Sequence, residues 1–329
     1  MKVIIPLAGK GTRLRPLTYV RPKPLVKVAG RPVMSYILDD LEALGVDDVI
    51  FITGYLREAI EDYIRAEYPS FNARFVEQKV QDGTAGAVNL ARPYVDDEVM
   101  IMFVDTLFDA DFSLPARMPD VDGILWAKEV EDYQRYGVIV NDDEGFMQRI
   151  VEKPTEPVSK LANIGLYYIR DWQLLFEGIE KTVRGDPGPG GEYFLTDAFQ
   201  YMIDQGARLK TAEVEGWYDC GKPETLLETN RHLLESGRGA RPPAAARVTV
   251  HDPVRVEGDV RLENCEIGPN VTLGPGAVVR ASTLRDAIVG GGAEIEGCDL
   301  HDALVGDHVR VRGVRGSVNL ADHSEVRGE

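Results

Sequence analysis

The sequence predicts an α/β, doubly wound (Rossmann-like) domain over residues 1–236, a linker at 237–247 and a C-terminal left-handed parallel β-helix of hexapeptide-like repeats over 248–329. Three observations carry this expectation. Strand-like and helix-like segments alternate from the N-terminus, the order that builds a parallel sheet covered by helices. "VMIMFV" at 99–104 is an unbroken apolar run, as in a strand buried on both faces. Beyond the linker, "LRDAIVG" at 284–290 returns as "LHDALVG" at 300–306, offset by 16 residues.

The elements follow in order. "KVIIPLA" reads as a strand entering a glycine loop. "PVMSYILDDLEALG" has Pro32 at its start, Met34, Ile37, Leu38 and Leu41 at helical spacing, and Gly45 as its stop. "DDVIFIT" is a strand, "YLREAIEDYIRAE" an amphipathic helix and "TAGAVNLAR" a short helix. Residues 120–215 add strands, a Gly/Pro loop ("RGDPGPGGE") and a helix ("YFLTDAFQYMIDQG"). "KPETLLETNRHLLESG" is a last helix, with Glu224 in its first turn and Gly237 past its end. "GRGARPPAAAR" has linker composition. Apolar residues then recur at Val256, Leu262, Ile267, Leu273, Val279, Leu284, Val289, Ile295, Leu300, Val305 and Val311. Steps of five or six cannot come from a helix. Short strands turning a corner at each step produce them, and three sides make one coil.

A chain of 329 residues fits about two domains. With 44% hydrophobic and 28% charged residues it has the composition of a soluble protein with a sizeable core. Its net charge of −17 argues against a nucleic-acid or anionic-membrane surface. No apolar run approaches the roughly 18 residues of a membrane span, and the N-terminal apolar run is shorter than a signal peptide requires. Cys220, Cys265 and Cys298 are far apart and form no Cys-x-x-Cys, so a reduced, cytoplasmic setting is expected. No His precedes His232 and no Cys precedes Cys220. Chemistry in the first 219 residues must therefore use carboxylates, Lys, Arg, hydroxyls and backbone, not a Ser–His–Asp or Cys–His nucleophile.

Charge is distributed unevenly. Residues 1–38 hold Lys2, Lys10, Arg13, Arg15, Arg21, Lys23, Lys27 and Arg31 and no acid, leaving −25 on the other 291 residues. The loop "LAGKGTRLRPLT" (7–18) lies among these bases. It is neither a Walker loop nor a dinucleotide fingerprint, because Leu14 stands where a third glycine would be. Alone, Gly-x-Gly is an ordinary turn. Among eight bases it reads as a polyphosphate cradle of backbone N–H groups and cations. Asp105 ends the "VMIMFV" strand, where open α/β sheets bind ligands, and Asp219 precedes the last helix. Each is either a turn or capping residue or a ligand to Mg²⁺ bridging a triphosphate. Glu152 and Lys153 in "RIVEKP" are either an exposed ion pair or a clamp on a sugar hydroxyl and a sugar phosphate. Gln78 offers a bidentate amide, and Gly83 lets a planar base approach backbone.

Taken in order, "LAGKGTRLRPLT", "RPKPLVKVAGRPV", "DGTAGAV", "VDTLF", "YGVIV", "EKP", "NIGLYY", "GEYFLTD" and "GWYDCGKPETLLETNRHLL" resemble the sugar-1-phosphate nucleotidylyltransferases over residues 1–235. With the tail "GSVNLADHSEV", the chain looks most like the long form of glucose-1-phosphate thymidylyltransferase. The resemblance implies transfer of a nucleotidyl group from a nucleoside triphosphate to a sugar 1-phosphate, with pyrophosphate released. No protein nucleophile is needed, which agrees with the missing His and Cys. It further implies that Leu7, Ala8, Gly9, Gly11, Thr12, Gln78 and Gly83 hold the nucleotide. Arg13, Lys23 and Lys153 act on the phosphates, and Asp105 and Asp219 hold Mg²⁺. Tyr136, Gly137, Glu152, Lys153, Asn163, Gly165 and Glu192 line the sugar-phosphate site. Oligomeric state is not readable from the residues; β-helix tails in the family often pack subunits together, so a homo-oligomer is an expectation of the resemblance alone.

Departures keep the base open. The usual paired glycines are Ala8-Gly9 here. "PKPL" is the form of uridylyl- and guanylyltransferases, and "VDT" replaces the usual "GDN". "QDGT" mixes thymidylyl and uridylyl patterns. Thymine and uracil differ by one methyl, worth only about 10–200-fold in a pocket. dTTP or UTP with glucose 1-phosphate is expected, with mannose-1-phosphate guanylyl transfer as the alternative. Two other readings are an acyltransferase β-helix, using bases among His251, His301, His308 and His323, and a non-catalytic regulatory subunit.

Overall fold

The computed structural model describes residues 1–242 and 247–328. Four residues of the expected linker, 243–246, lie outside the described residues. The described chain forms two compact units, one of residues 1–9 and 37–217, the other of residues 10–36, 218–242 and 247–328.

The first unit is built on a mixed sheet. Its strands are β1 (Lys2–Pro6), β2 (Asp48–Thr53), β3 (Asn72–Glu77), β4 (Val99–Met102), β5 (Gly123–Glu129), β6 (Gly137–Asn141), β7 (Met147–Glu152), β8 (Leu161–Ile169) and β9 (Leu209–Glu213). The order is β7-β6-β8-β4-β1-β2-β3, with β5 paired to β8 and β9. β4, β1, β2 and β3 run parallel, which is the expected doubly wound half. β8 joins β4 antiparallel and carries the sheet on to β5 and β6. The run at 99–104 is strand only through Met102. All four residues of β4 are buried, as an interior strand requires, and Asp105 follows in a turn.

Helices cover this sheet: α1 (Val33–Ala43), α2 (Arg57–Glu67), α3 (Thr84–Asn89), α4 (Trp172–Arg184) and α5 (Leu195–Asp204). α3, α4 and α5 bury Val88, Phe176 and Phe199 in one cluster with Ile4, Ile101 and Tyr167 of the strands. At roughly 1.5–3 kcal/mol for each large apolar side chain removed from water, this cluster holds the strand ends that carry the polar residues described below. Asp171 starts α4, its carboxylate accepting from Leu174 N at 3.0 Å.

In the second unit, α6 (Pro223–Leu233) runs into a turn at Leu234–Arg238 and stops at Gly237, whose φ is +91°. Beyond Arg247 the strands pair in three parallel ladders, each advancing 15–17 residues per step. One ladder links Thr249, Glu266, Thr283 and Asp299. A second links Val254, Val271, Ala287 and Ala303. The third links Arg261, Val278, Glu294, Arg310 and Glu325. The seven-residue echo falls in register, Leu284 beside Leu300 and Val289 beside Val305. From Ile267 to Val311 every residue of the five-or-six series is buried. Gly290 and Gly306 end the two echoes for a steric reason. A Cβ there would lie 2.4 Å from the carboxylates of Asp307 and Asp322 respectively.

Candidate active site

In the first unit, β6, β7 and β8 bring five of the expected sugar-phosphate residues together. Glu152 ends β7 opposite Gly137, which begins β6. Lys153 donates its backbone N–H to the Tyr136 carbonyl at 2.9 Å. Asn163 lies on β8, whose Ala162 pairs with Val138 of β6, and its Nδ2 donates to the Gly137 carbonyl at 2.8 Å. The Asn163 Oδ1 accepts a short hydrogen bond from the Tyr167 hydroxyl. Gly137 is required here, because a Cβ would lie 2.4 Å from Asn163 Nδ2 and 2.9 Å from Glu152 Oε2.

Glu152 is mostly buried, with its side chain 16% exposed. It accepts from Thr196 Oγ1 at 3.1 Å, and Lys153 Nζ stands 3.7 Å from its other oxygen. Burial pushes its pKa up, against the opposing pull of the Lys153 ammonium and the Thr196 hydroxyl. Lys153 has φ +43°, uncommon for a non-glycine residue, and its ammonium lies 4.5 Å over the Phe194 ring. Gly165, at φ +82°, sits in the register shift of β8 between Asn163 and Tyr167, and its carbonyl accepts from Phe103 N at 2.8 Å. Tyr136 meets Trp217 edge-on at 5.2 Å. Glu192 is not drawn into this cluster. Its side chain is exposed, and its carbonyl accepts from Gly188 N.

The first unit also holds part of the expected nucleotide site. Leu7 N bonds the Ile52 carbonyl, continuing the β1–β2 pairing. The Ala8 carbonyl accepts from Gln81 Nε2 at 2.6 Å. Gly9 has no neighbour within 4 Å of where a Cβ would be. Gln78 is buried, its Nε2 donating to Asp82 Oδ1 at 3.0 Å and to the Gly83 carbonyl at 3.3 Å. Gly83 has φ +111°, and a Cβ there would fall 2.4 Å from the Tyr193 carbonyl oxygen. Asp105 is half-buried. Its charge, after burial and the charge of Glu152, helps push the Tyr167 hydroxyl pKa up.

The second unit gathers the expected phosphate cations. Gly11, at φ +60°, precedes the short 3-10 turn Thr12–Leu14, and its carbonyl accepts from Thr18 Oγ1 at 2.7 Å. Gly221 marks where the side chains converge. A Cβ there would be 2.7 Å from Asp219 Oδ1 and 3.3 Å from both Arg13 Nη2 and Lys23 Nζ. Asp219 accepts from Gly221 N at 2.7 Å and from Thr225 Oγ1 at 3.3 Å. A carboxylate has about four lone-pair sites, so capacity for a cation remains. The donors are hard oxygens, and magnesium is held by one or two carboxylates plus substrate phosphates. The residues thus fit that metal. Among the described residues, no group of three or more His, Cys, Asp or Glu could hold a metal ion by itself.

Two of the eight N-terminal bases are held by carboxylates of the chain itself. Lys2 pairs with Asp48 at 2.8 Å, and Arg21 pairs with Asp307 and Asp322. The charge count alone therefore overstates the cradle.

A family profile described as "Nucleotidyl transferase" matches residues 2–236. The chain belongs to the nucleotidyl transferase family. Among its relatives is the bifunctional protein GlmU of Methanocaldococcus jannaschii, 39% identical over 71% of this chain; the chain spans only 55% of that protein's length. The glucose-1-phosphate thymidylyltransferase of Streptomyces antibioticus is 32% identical over 88% of this chain and 78% of its own length. A crystal structure of UDP-glucose pyrophosphorylase complexed with UDP-glucose aligns with TM-score 0.63 at 24% identity, over 71% of this chain and 98% of that one. That likeness supports the fold of the nucleotidyl transferase domain.

Sequence reading missed three residues of this nucleotidyl transferase. Thr196 and Phe194 flank Glu152 and Lys153 from the start of α5, and both lie in the quoted "GEYFLTD" motif. Gln81, tied to the Ala8 carbonyl, lies beside "DGTAGAV". For all three the motif was the available signal, and what was missing was their partner in space.

Proposed function

We propose that this chain transfers a nucleotidyl group from dTTP or UTP to a sugar 1-phosphate, with glucose 1-phosphate as the sugar substrate. A phosphate oxygen of the sugar attacks the α-phosphorus, the bond to the β-phosphate bridging oxygen breaks, and pyrophosphate leaves. The observation that carries this reading is the Gly137–Glu152–Lys153–Asn163 cluster, which sets a buried carboxylate beside an ammonium. The carboxylate suits a sugar hydroxyl and the ammonium a sugar phosphate, while Tyr136 and Gly165 complete the sugar side by their motifs.

On the nucleotide side, Leu7, Ala8, Gly9, Gly11 and Thr12 form the loop that meets the phosphates. Both Nε2 hydrogens of Gln78 are engaged, leaving Oε1 to accept the ring N–H of thymine or uracil. Gly83 lets the base lie against backbone. Arg13 and Lys23 neutralise the phosphates. Such transfers rest on positioning and charge neutralisation. Asp105 and Asp219 are the ligands we propose for Mg²⁺, which when bound supplies charge to the phosphates. The three ladders read as a left-handed parallel β-helix, with domain limits at 1–236 and 248–329 and the linker at 237–247. Free, buried cysteines support a reducing, cytoplasmic setting.

Pyrophosphate release with Mg²⁺ and glucose 1-phosphate, measured across dTTP, UTP, GTP, CTP and ATP, tests the reading. Release with dTTP or UTP supports it and names the base. Release only with GTP moves the sugar to mannose 1-phosphate. No release across several sugar phosphates overturns it.

A further inference from the structure

Arg21 is clamped by two carboxylates that lie far along the chain. Its Nη2 is 2.5 Å from Asp307 Oδ2 and 3.0 Å from Asp322 Oδ2. Both carboxylates are fixed in advance. Asp307 Oδ1 accepts from Gly291 N at 2.7 Å, and Asp322 Oδ1 accepts from Asp307 N at 2.9 Å. Each aspartate thus spends one oxygen on a backbone N–H of the preceding corner, 15 or 16 residues back, and turns the other to the guanidinium. The glycines at 290 and 306 leave room for this fold-back. The three side chains are only 15–28% exposed, so the pair is far less screened than a surface bridge.

Arg21 stands two residues before Lys23, in the segment that carries Arg13 and meets Asp219 around Gly221. The same segment is held again at Ala29, whose N–H donates to Asn230 Oδ1 of α6 at 2.9 Å. Asn230 in turn accepts from Thr272 Oγ1, on the strand Val271–Leu273, and donates to the carbonyl of Asn270 just before it. Lys23 therefore lies between two anchors that lead into the C-terminal ladders.

We propose that the C-terminal strands serve the nucleotidyl transfer directly, with Asp307 and Asp322 holding Arg21 as a positioning residue that fixes Lys23 and Arg13 for the triphosphate. This rests on the function proposed above. It assigns the tail a role within one chain, separate from any acyl transfer or subunit packing. Arg21 itself, neutralised by two carboxylates, is no phosphate ligand.

The test uses the full-length chain with Arg21→Gln, Arg21→Lys and the Asp307→Asn/Asp322→Asn pair. Asparagine keeps the Oδ1 acceptors of both corners and replaces the oxygen facing Arg21 with an amide that neither accepts nor carries charge, so this variant keeps the ladders. Two readouts are needed. Hydrogen exchange at Leu25 and Val26, whose amides bond the Pro22 and Lys23 carbonyls, reports the segment whether or not the enzyme turns over. Steady-state kinetics with dTTP and UTP reports the positioning. The expected result is faster exchange through residues 17–29 and a kcat/KM for the nucleotide lowered roughly 10- to 100-fold. Arg21→Lys, reaching one carboxylate at a time, recovers more activity than Arg21→Gln. Unchanged exchange in the paired asparagine variant overturns the clamp. Raised exchange with unchanged kcat/KM overturns positioning and leaves Arg21 structural. A wild-type chain inactive with every nucleotide overturns the proposed function alone, while the exchange experiment still decides the clamp.

Discussion

Asn163 donates its amide to the Gly137 carbonyl at 2.8 Å, and Gly137 has no room for a methyl group beside it. The pair joins the first residue of β6 to β8, its antiparallel neighbour in the sheet. It fixes the backbone over which Glu152 and Lys153 stand.

Gly137→Ala is therefore expected to separate binding of the two substrates. The added Cβ would push on Asn163 Nδ2, Thr196 Cγ2 and Glu152 Oε2 at once. Overpacking of this kind costs about 1–3 kcal/mol, and the displaced groups are those proposed to hold the sugar phosphate. The KM for glucose 1-phosphate should rise roughly tenfold or more, with the KM for the nucleotide little changed. Equal increases in both would remove Gly137 from the sugar side.

Glu152→Gln gives a pH-dependent stability change of known sign. Burial raises the Glu152 pKa above its ordinary value of 4.5, so the folded protein binds this proton more tightly than the unfolded chain does. The stabilisation is fully present below the unfolded pKa and is lost as pH rises through the folded one. At neutral pH the wild type therefore bears the cost of a buried charge that Gln does not carry. Thermal melts should show Glu152→Gln above wild type at pH 7, with the gap closing in acid below 4.5. Turnover with a sugar 1-phosphate should fall, because a neutral amide is a poorer acceptor for a sugar hydroxyl. A variant that melts lower at pH 7 would show that the Thr196 and Lys153 contacts outweigh desolvation.

Gly9 and Gly83 should respond to alanine in opposite ways. A Cβ at Gly9 meets open space, and Gly9→Ala should melt like the wild type. A Cβ at Gly83 runs into the Tyr193 backbone, at a φ of +111° that L residues avoid. Gly83→Ala should lose about 1–3 kcal/mol in denaturant unfolding. Both should weaken nucleotide binding if both lie against the nucleotide. Gly9→Ala with normal nucleotide affinity would leave Gly9 a turn residue.

Features that repeat or alternate locally were legible in the sequence. The 16-residue echo became a register in which Leu284 lies beside Leu300, because parallel stacking puts equivalent positions side by side. The extent of β4 was harder to read, since apolar composition does not say where pairing ends and the turn to Asp105 begins. Glu152 and Lys153 could be found as a motif. Thr196 as the partner of Glu152 could not, because 44 residues separate them and no periodicity links them. Arg21 shows the same limit more sharply. As one of eight bases it read as part of a phosphate cradle, and its carboxylates lie 286 and 301 residues away. A count of charges records composition, whereas the role of each charge depends on its partner in the fold.

Asn230 makes three buried polar contacts within the second unit. It is fully buried on α6, and it satisfies the Ala29 N–H, the Thr272 hydroxyl and the Asn270 carbonyl together. Asn230→Ala removes the partner of all three. Each buried group left unpaired costs about 1–3 kcal/mol, less whatever water recovers. A loss of roughly 2–4 kcal/mol in denaturant unfolding is expected, with part of the loss absent if water enters the space left by the amide. Asn230→Asp separates hydrogen bonding from charge. It keeps an acceptor for Ala29 and Thr272, but it loses the donor to Asn270 and adds a buried negative charge, so its loss should grow as the pH is raised above the carboxyl's pKa. Equal stability of Asn230→Asp at pH 5 and pH 8 would mean that the site admits water and that the three contacts are not closed off from solvent.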